Sequence, residues 1–213
     1  MDDINCLPPF SRTYDPVRYA YSSRVVFLEQ WPMEPMPPSE PAQRWRPGLE
    51  DYLDAYHRVG NPWLWHGRLA MGEARIIADL ADPAQQCWRV DAGGECAGFC
   101  ELVYRNPLDA EILHFGLTPA ARGHGLGGRL MRTVLTDALS RGTRRVWLHT
   151  CSEDSAEAVG FYQHAGFRIF GTRLEWVADP RSRGLLPAAT GDGIHLPWSG
   201  EAAAAFSEAG GAD

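Results

Sequence analysis

Apolar residues recur along this chain with two different spacings. After Pro47-Gly48, the positions Leu49, Tyr52, Leu53 and Tyr56 fall three or four apart, which predicts a short amphipathic helix ending near Gly60. Ile76, Ile77 and Leu80 predict a second helix between Gly72 and Leu80. A longer one runs to about Arg141, with Leu126, Leu130, Met131, Val134, Leu135 and Ala138 as its buried face, and another covers about Ser155 to Ala165. Short apolar or alternating runs predict strands at Arg24–Glu29, Cys87–Asp91, Glu95–Arg105, Glu111–Leu117, Arg144–Cys151 and Phe167–Val177. Ala92-Gly93-Gly94 joins the second and third of these, and its glycines suit the positive dihedrals of a tight hairpin. Strict alternation places Glu111 on the strand face of Leu113, Phe115 and Leu117, with His114 on the other.

Strands and helices thus alternate in a mixed α/β order, with no internal repeat. Residues 1–22 carry no clear period and read as an N-terminal extension, and 23–179 as the domain. In the tail, 180–213, proline, glycine and alanine dominate and Glu201–Phe206 is the only helix-like piece, so partial disorder is expected. Trp31-Pro32-Met33-Glu34-Pro35-Met36-Pro37-Pro38 breaks any element and reads as a linker or extended arm. At 213 residues and 45% hydrophobic content, the chain suffices for one sizeable core.

Composition narrows the function. A net charge of −7 argues against a phosphate-dominated nucleic-acid surface and toward small cationic partners. No run reaches membrane-span length, and the start lacks the basic and apolar segments of a signal peptide, which points to the cytoplasm. The 5 cysteines form no CxxC pair, so neither a zinc knuckle nor a disulfide framework is suggested. His149 and Cys151 share a strand face, but no third ligand stands at a fixed spacing and no metal is expected. All 20 basic residues are arginine, so a Walker A loop and a pyridoxal-phosphate Schiff base both lack their lysine.

The stretch Arg122-Gly123-His124-Gly125-Leu126-Gly127-Gly128 lies between a strand and a helix. Its small residues allow close approach of an anion, and the first helical amides point at it with about half a positive charge. Gly123, Gly125 and Gly128 also satisfy the dinucleotide fingerprint, which keeps an NAD(P)-dependent oxidoreductase of the Rossmann type as an alternative. In that fold, however, the first glycine follows its strand almost directly, whereas here Thr118-Pro119-Ala120-Ala121-Arg122 intervene.

Arg122-x-x-Gly125-x-Gly127 followed by Ala158-x-x-Phe161-Tyr162-x-x-x-Gly166-Phe167 resembles the GNAT acyltransferase superfamily over roughly residues 90–178. Val59-Gly60-Asn61-Pro62-Trp63-Leu64-Trp65-His66-Gly67-Arg68 resembles the V-G-x-x-W-x-W-x-x-R segment of a bacterial subgroup. The resemblance implies a mixed, mostly antiparallel sheet flanked by helices on both faces, with splayed central strands. It implies acetyl-CoA as donor, its pyrophosphate on the amides of Arg122, Gly123, His124, Gly125, Leu126, Gly127 and Gly128, and its pantetheine beside Leu117. The acetyl group would pass directly to a primary amine, without metal.

An alkylamine is mostly protonated at neutral pH, so the reaction wants a base for the amine and an acid for the thiolate. The resemblance implies Glu111 as base and Tyr162 as acid. The family's asparagine seven residues before that tyrosine is Ser155 here, whose hydroxyl either replaces the coenzyme contact or serves the helix start. Trp63 and Trp65 fall in the segment that would line the acceptor pocket, and Arg68 reads as a surface or carboxylate-binding residue. A non-catalytic acyl-CoA-binding regulatory module is the other reading, and a homodimer is left open.

Overall fold

Ala20–Gln30 forms strand β1, whose burial alternates at first and is continuous from Val25 to Gln30. It is a computed structural model that describes residues 20–31, 33 and 42–191. After β1 come β2 (Gln43–Trp45), α1 (Leu49–Gly60), α2 (Gly67–Met71), α3 (Glu73–Ala81), β3 (Gln85–Ala92), β4 (Glu95–Asn106) and β5 (Asp109–Leu117). The chain continues through α4 (Leu126–Ser140), β6 (Arg145–Cys151), α5 (Ala158–His164) and β7 (Arg168–Ala178). Helix α1 carries Glu50 and Asp51 in its first turn and His57 and Arg58 in its last, matching its dipole at both ends. The expected helix from Ser155 starts three residues later, and β2 and α2, too short for periodicity to show, were absent from the sequence expectation.

All seven strands form one sheet in the order β2-β3-β4-β5-β6-β1-β7. Every adjacent pair is antiparallel except β5 and β6. That parallel ladder runs only from Asp109↔Arg145 to Ile112↔Leu148. Beyond it, β5 continues on β4 as far as Leu117↔Gly98, and β6 continues on β1 as far as Cys151↔Val25, so the two strands part into a V.

One sheet face is covered by α4 and α5, with Leu28, Cys100, Leu102, Ile112, Leu130, Val134 and Leu148 in its core. The other is covered over β3–β5 by α1 and α3, through a smaller cluster of Tyr52, Ala55, Tyr56, Val59, Ile76 and Phe99. Within β5 the register slips: His114 pairs with Glu101 but Ile112 pairs with Leu102, leaving Leu113 as an extra residue. The bulge overturns the alternation expected from sequence. Phe115 and Leu117 pack on the α4 side with Ile112, whereas Glu111 opens onto the opposite face and His114 stands there too, against Tyr56 and Trp65.

Past β7, residues 180–191 form turns that bury Leu186, and Arg181 pairs with Asp179 at 2.9 Å. Residues 1–19 and 192–213, including the helix-like Glu201–Phe206, lie outside the described residues. No helix among the described residues is long and apolar enough to cross a membrane.

Candidate active site

The glycine loop begins where β5 ends. Thr118 donates its amide to Ala97 at 2.9 Å, and Pro119–Ala121 form a single 3-10 turn closed by Arg122 N–H on Pro119. Gly123 and Gly125 then take φ of +78° and +77°, left-handed values that glycine adopts without the cost of a side chain. Helix α4 starts at Leu126, and Arg129 N–H reaches back to Gly125 at 3.1 Å. The amides of residues 123–128 donate to no other group among the described residues. Six free donors at a helix start, with no acid in its first turn, fit a pyrophosphate.

A Cβ on Gly127 would only reach ordinary contact, 3.5 Å from Leu117 and Phe161, so the surrounding protein does not itself demand glycine there; a ligand lying along Leu117 would. Arg122 holds its guanidinium 4.5 Å from the Trp63 ring. Trp63 therefore buttresses the glycine loop, and only Trp65 of the two tryptophans lies toward the V. His124 is exposed, consistent with a role for its backbone alone.

Aromatic rings floor the V on the α4 side. Phe115 stacks on Phe161 with centroids 5.4 Å apart, and Tyr162 meets Phe115, Phe161 and Phe167 edge-on. Tyr162 is 8% exposed, and no described group hydrogen-bonds to its hydroxyl. Burial first, then the nearby charge of Asp154, pushes its pKa well above the ordinary phenol value, so it stays a proton donor. Ser155 spends its hydroxyl on Glu157 at 2.8 Å, serving the turn before α5. Its neighbour Asp154 accepts from Thr150 Oγ1 at 2.7 Å, from the Cys151 amide at 2.9 Å and from Trp65 Nε1 at 3.3 Å. The link of Asp154 to Trp65 spans 89 residues and leaves no local signal in the sequence.

On the opposite face, Glu111 is gripped by Arg105, with Nε at 2.8 Å from Oε2 and Nη2 on the same oxygen. It opens into a groove of about 430 Å³ walled by Phe27, Trp147, Phe170, Arg145 and His149. The groove walls desolvate His149 and lower its pKa, against the pull of Glu111 and Asp154.

Deeper on this face lies a charged cluster. Glu101 is fully buried and accepts from Tyr52 at 2.9 Å, Gln85 at 2.6 Å, His114 Nδ1 at 2.5 Å and both Nε and Nη2 of Arg68. Burial opposes its charge, but the hydrogen bonds and charges of His114 and Arg68 outweigh that and leave the carboxyl at about 2. Arg68, 2% exposed, also binds Asp79 at 2.5 Å, so it is a carboxylate-binding residue of the interior. Reading His114 as facing away from Glu111 is corrected by the bulge, and Glu101, thirteen positions before His114, offered no motif of its own.

A V between parallel strands, an amide cradle at the following helix and an aromatic floor bearing a protonated tyrosine define the acyltransferase class of α/β fold. The glycine motif follows the fifth strand of a mainly antiparallel sheet, which removes the Rossmann reading. The chain belongs to the acetyltransferase (GNAT) family, whose model matches residues 26–167. It is 30% identical over 166 residues to a protein named mycothiol acetyltransferase from Pseudarthrobacter chlorophenolicus, covering 72% of this chain and 50% of that one. A protein of the same name from Corynebacterium glutamicum is 30% identical over 135 residues, 63% of this chain and 44% of its own. The chain thus spans about half the length of the curated relatives it matches.

Among solved structures, a putative GNAT-family acetyltransferase from Novosphingobium aromaticivorans superposes with a TM-score of 0.53 at 22% identity, over 74% of this chain and 64% of that one. A GCN5-related N-acetyltransferase from Sphaerobacter thermophilus gives 0.56 at 18% identity, over 74% and 52%. At these identities the likeness is one of fold.

Proposed function

We propose that residues 23–179 form an N-acetyltransferase domain that moves the acetyl group of acetyl-CoA directly to the primary amine of a small molecule within a ternary complex. The observation that carries this reading is the set of unpaired amides at residues 123–128, opening onto the V where β5 leaves β6. Amides of Arg122 through Gly128 take the pyrophosphate, and the pantetheine lies beside Leu117 as an added strand in the opening. Aligning amine and thioester there supplies much of the acceleration, at best about 7–11 kcal/mol. Glu111 draws the ammonium and assists its deprotonation, and the buried Tyr162 hydroxyl gives a proton to the departing thiolate. Ser155, committed to Glu157, serves the turn, and Trp65 lines the acceptor side.

A net charge of −7 favours a cationic acceptor, and the relatives' name puts the unacetylated amine form of mycothiol into the test panel. Thiol release from acetyl-CoA, measured against polyamines, aminoglycosides, amino acids, peptides and the unacetylated amine form of mycothiol with its own thiol subtracted, is expected with at least one amine. A chain that binds acetyl-CoA and releases no thiol with any of them would instead be a coenzyme-binding regulatory module.

A further inference from the structure

The buried cluster around Glu101 does more than neutralise charge. Arg68, Tyr52 and Gln85 already give its carboxylate four hydrogen bonds, so His114 is not needed to satisfy it. Yet the β5 bulge turns His114 out of the strand's alternation and sets Nδ1 at 2.5 Å from Glu101 Oε2. An ionised carboxylate only accepts, so the ring nitrogen facing it carries the proton. In the neutral ring the other nitrogen, Nε2, then holds a free lone pair, as in a histidine oriented by an aspartate. The ring is 18% exposed and lies between Tyr56 and Trp65, each 5.1 Å away by centroid. Trp65 reaches in turn to Asp154 at the edge of the V. Glu111 and His149 line one groove on this face, and His114 shares the Glu111 face of β5.

We propose, resting on the acetyltransfer reading above, that Glu101 is a positioning residue that locks His114 with Nδ1–H donated inward, leaving Nε2 to take the proton of the acceptor ammonium. The ammonium gives one proton to Nε2, and its freed lone pair forms the C–N bond as the C–S electron pair leaves on sulfur. The second nitrogen proton passes to solvent, Tyr162 protonates the thiolate and is itself reprotonated from solvent, and His114 returns its proton to water. One proton is released per amide formed. Glu111, whose Oε2 is held by Arg105, attracts and orients the ammonium, and the deprotonation it assists ends with the proton on His114 rather than on its own carboxylate. Among charged or titratable groups, Glu101 and Tyr56 of α1 meet the His114 ring directly; Tyr52 of α1, Arg68 of α2 with Asp79 of α3 behind it and Cys87 of β3 stand around Glu101, Asp154 is reached through Trp65, Glu111 lies on the same face of β5, and His149 of β6 feels the charge of His114. Arg68 is shared between Glu101 and Asp79, so the imidazolium formed on proton uptake keeps Glu101 as its paired carboxylate.

Two readouts test this. Nitrogen-15 long-range correlation spectra of the wild-type chain, with His114→Gln to assign the signal, should show the neutral Nδ1–H tautomer; an Nε2–H ring overturns the proposal. In steady-state kinetics, His114→Gln should lower kcat by about a hundredfold or more and abolish the acid limb of the pH profile, with acetyl-CoA affinity by calorimetry unchanged within about twofold. Unchanged kcat and an intact acid limb overturn the proposal. Glu101→Gln should move that limb to lower pH, because the imidazolium loses its partner; a limb that stays put counts against positioning. The tautomer is read on the wild type, so a Glu101→Gln chain that fails to fold does not end the test. If the wild type acetylates no amine, the acetyltransfer reading fails, while an Nδ1–H ring would still support positioning by Glu101.

Discussion

Glu101→Gln is the substitution with the sharpest energetic signature. Its carboxyl falls from an ordinary value of 4.5 to about 2 in the fold. A tenfold change in proton affinity is worth about 1.4 kcal/mol, so the fold favours the ionised form by about 3 kcal/mol. A second route gives a similar figure: the variant leaves Arg68, 2% exposed, with Asp79 as its remaining carboxylate, and breaking one side of a buried pair typically costs about 3–5 kcal/mol. The sign follows from the depressed pKa. The contribution is complete above pH 4.5 and is lost as pH falls toward 2, and the glutamine variant has no such titration. Urea unfolding of both proteins should therefore show a gap of about 3–5 kcal/mol at pH 7 that shrinks by about 2 kcal/mol at pH 3. Other carboxylates titrate in both proteins and cancel from the difference. A gap below about 1 kcal/mol at pH 7, or one that holds constant to pH 3, would refute the assignment of Glu101 as an ionised hub.

Other substitutions probe the cleft. Gly125→Ala forces a side chain into φ of +77°, at a cost of about 1–2 kcal/mol, and should weaken acetyl-CoA binding at least tenfold by calorimetry. Arg122→Ala removes both the loop's cation and its seat on Trp63, so acetyl-CoA affinity should drop and become less sensitive to salt. Tyr162→Phe keeps the ring among Phe115, Phe161 and Phe167 and should change stability by less than about 1 kcal/mol while lowering kcat at least tenfold; full turnover across pH would exclude the acid role. Trp65→Phe removes the hydrogen bond to Asp154 and is expected to raise the KM of the amine more than that of acetyl-CoA.

Periodicity located most of this architecture because the long elements are amphipathic. Leu126 to Ala138 announced α4, and the apolar runs at 95–105, 111–117 and 144–151 announced the strands on either side of the V. The glycine loop was readable for a different reason: its amides act through a continuous stretch of chain, so spacing alone carries the chemistry. The base side was not. Leu113 looks like any strand residue, and only pairing with β4 reveals that it is extra and that Glu111 and His114 share a face. Glu101 likewise sits in an apolar run, and its partners Tyr52, Arg68, Gln85 and His114 come from four other elements or their margins. Trp63 and Trp65 stand two residues apart yet serve different walls, one against Arg122 and one against His114 and Asp154. Sequence gives their proximity but not the turn at Leu64, whose φ of +57° separates them.

Amine-dependent release of the coenzyme thiol, followed together with mass detection of the acetylated amine, tests acetyl transfer in the V most directly. Thiol and N-acetylated product should rise in equal amounts with the wild-type chain and fall together in Gly125→Ala. Binding of acetyl-CoA without thiol release for any amine in the panel, or thiol release without an acetylated amine, would contradict it.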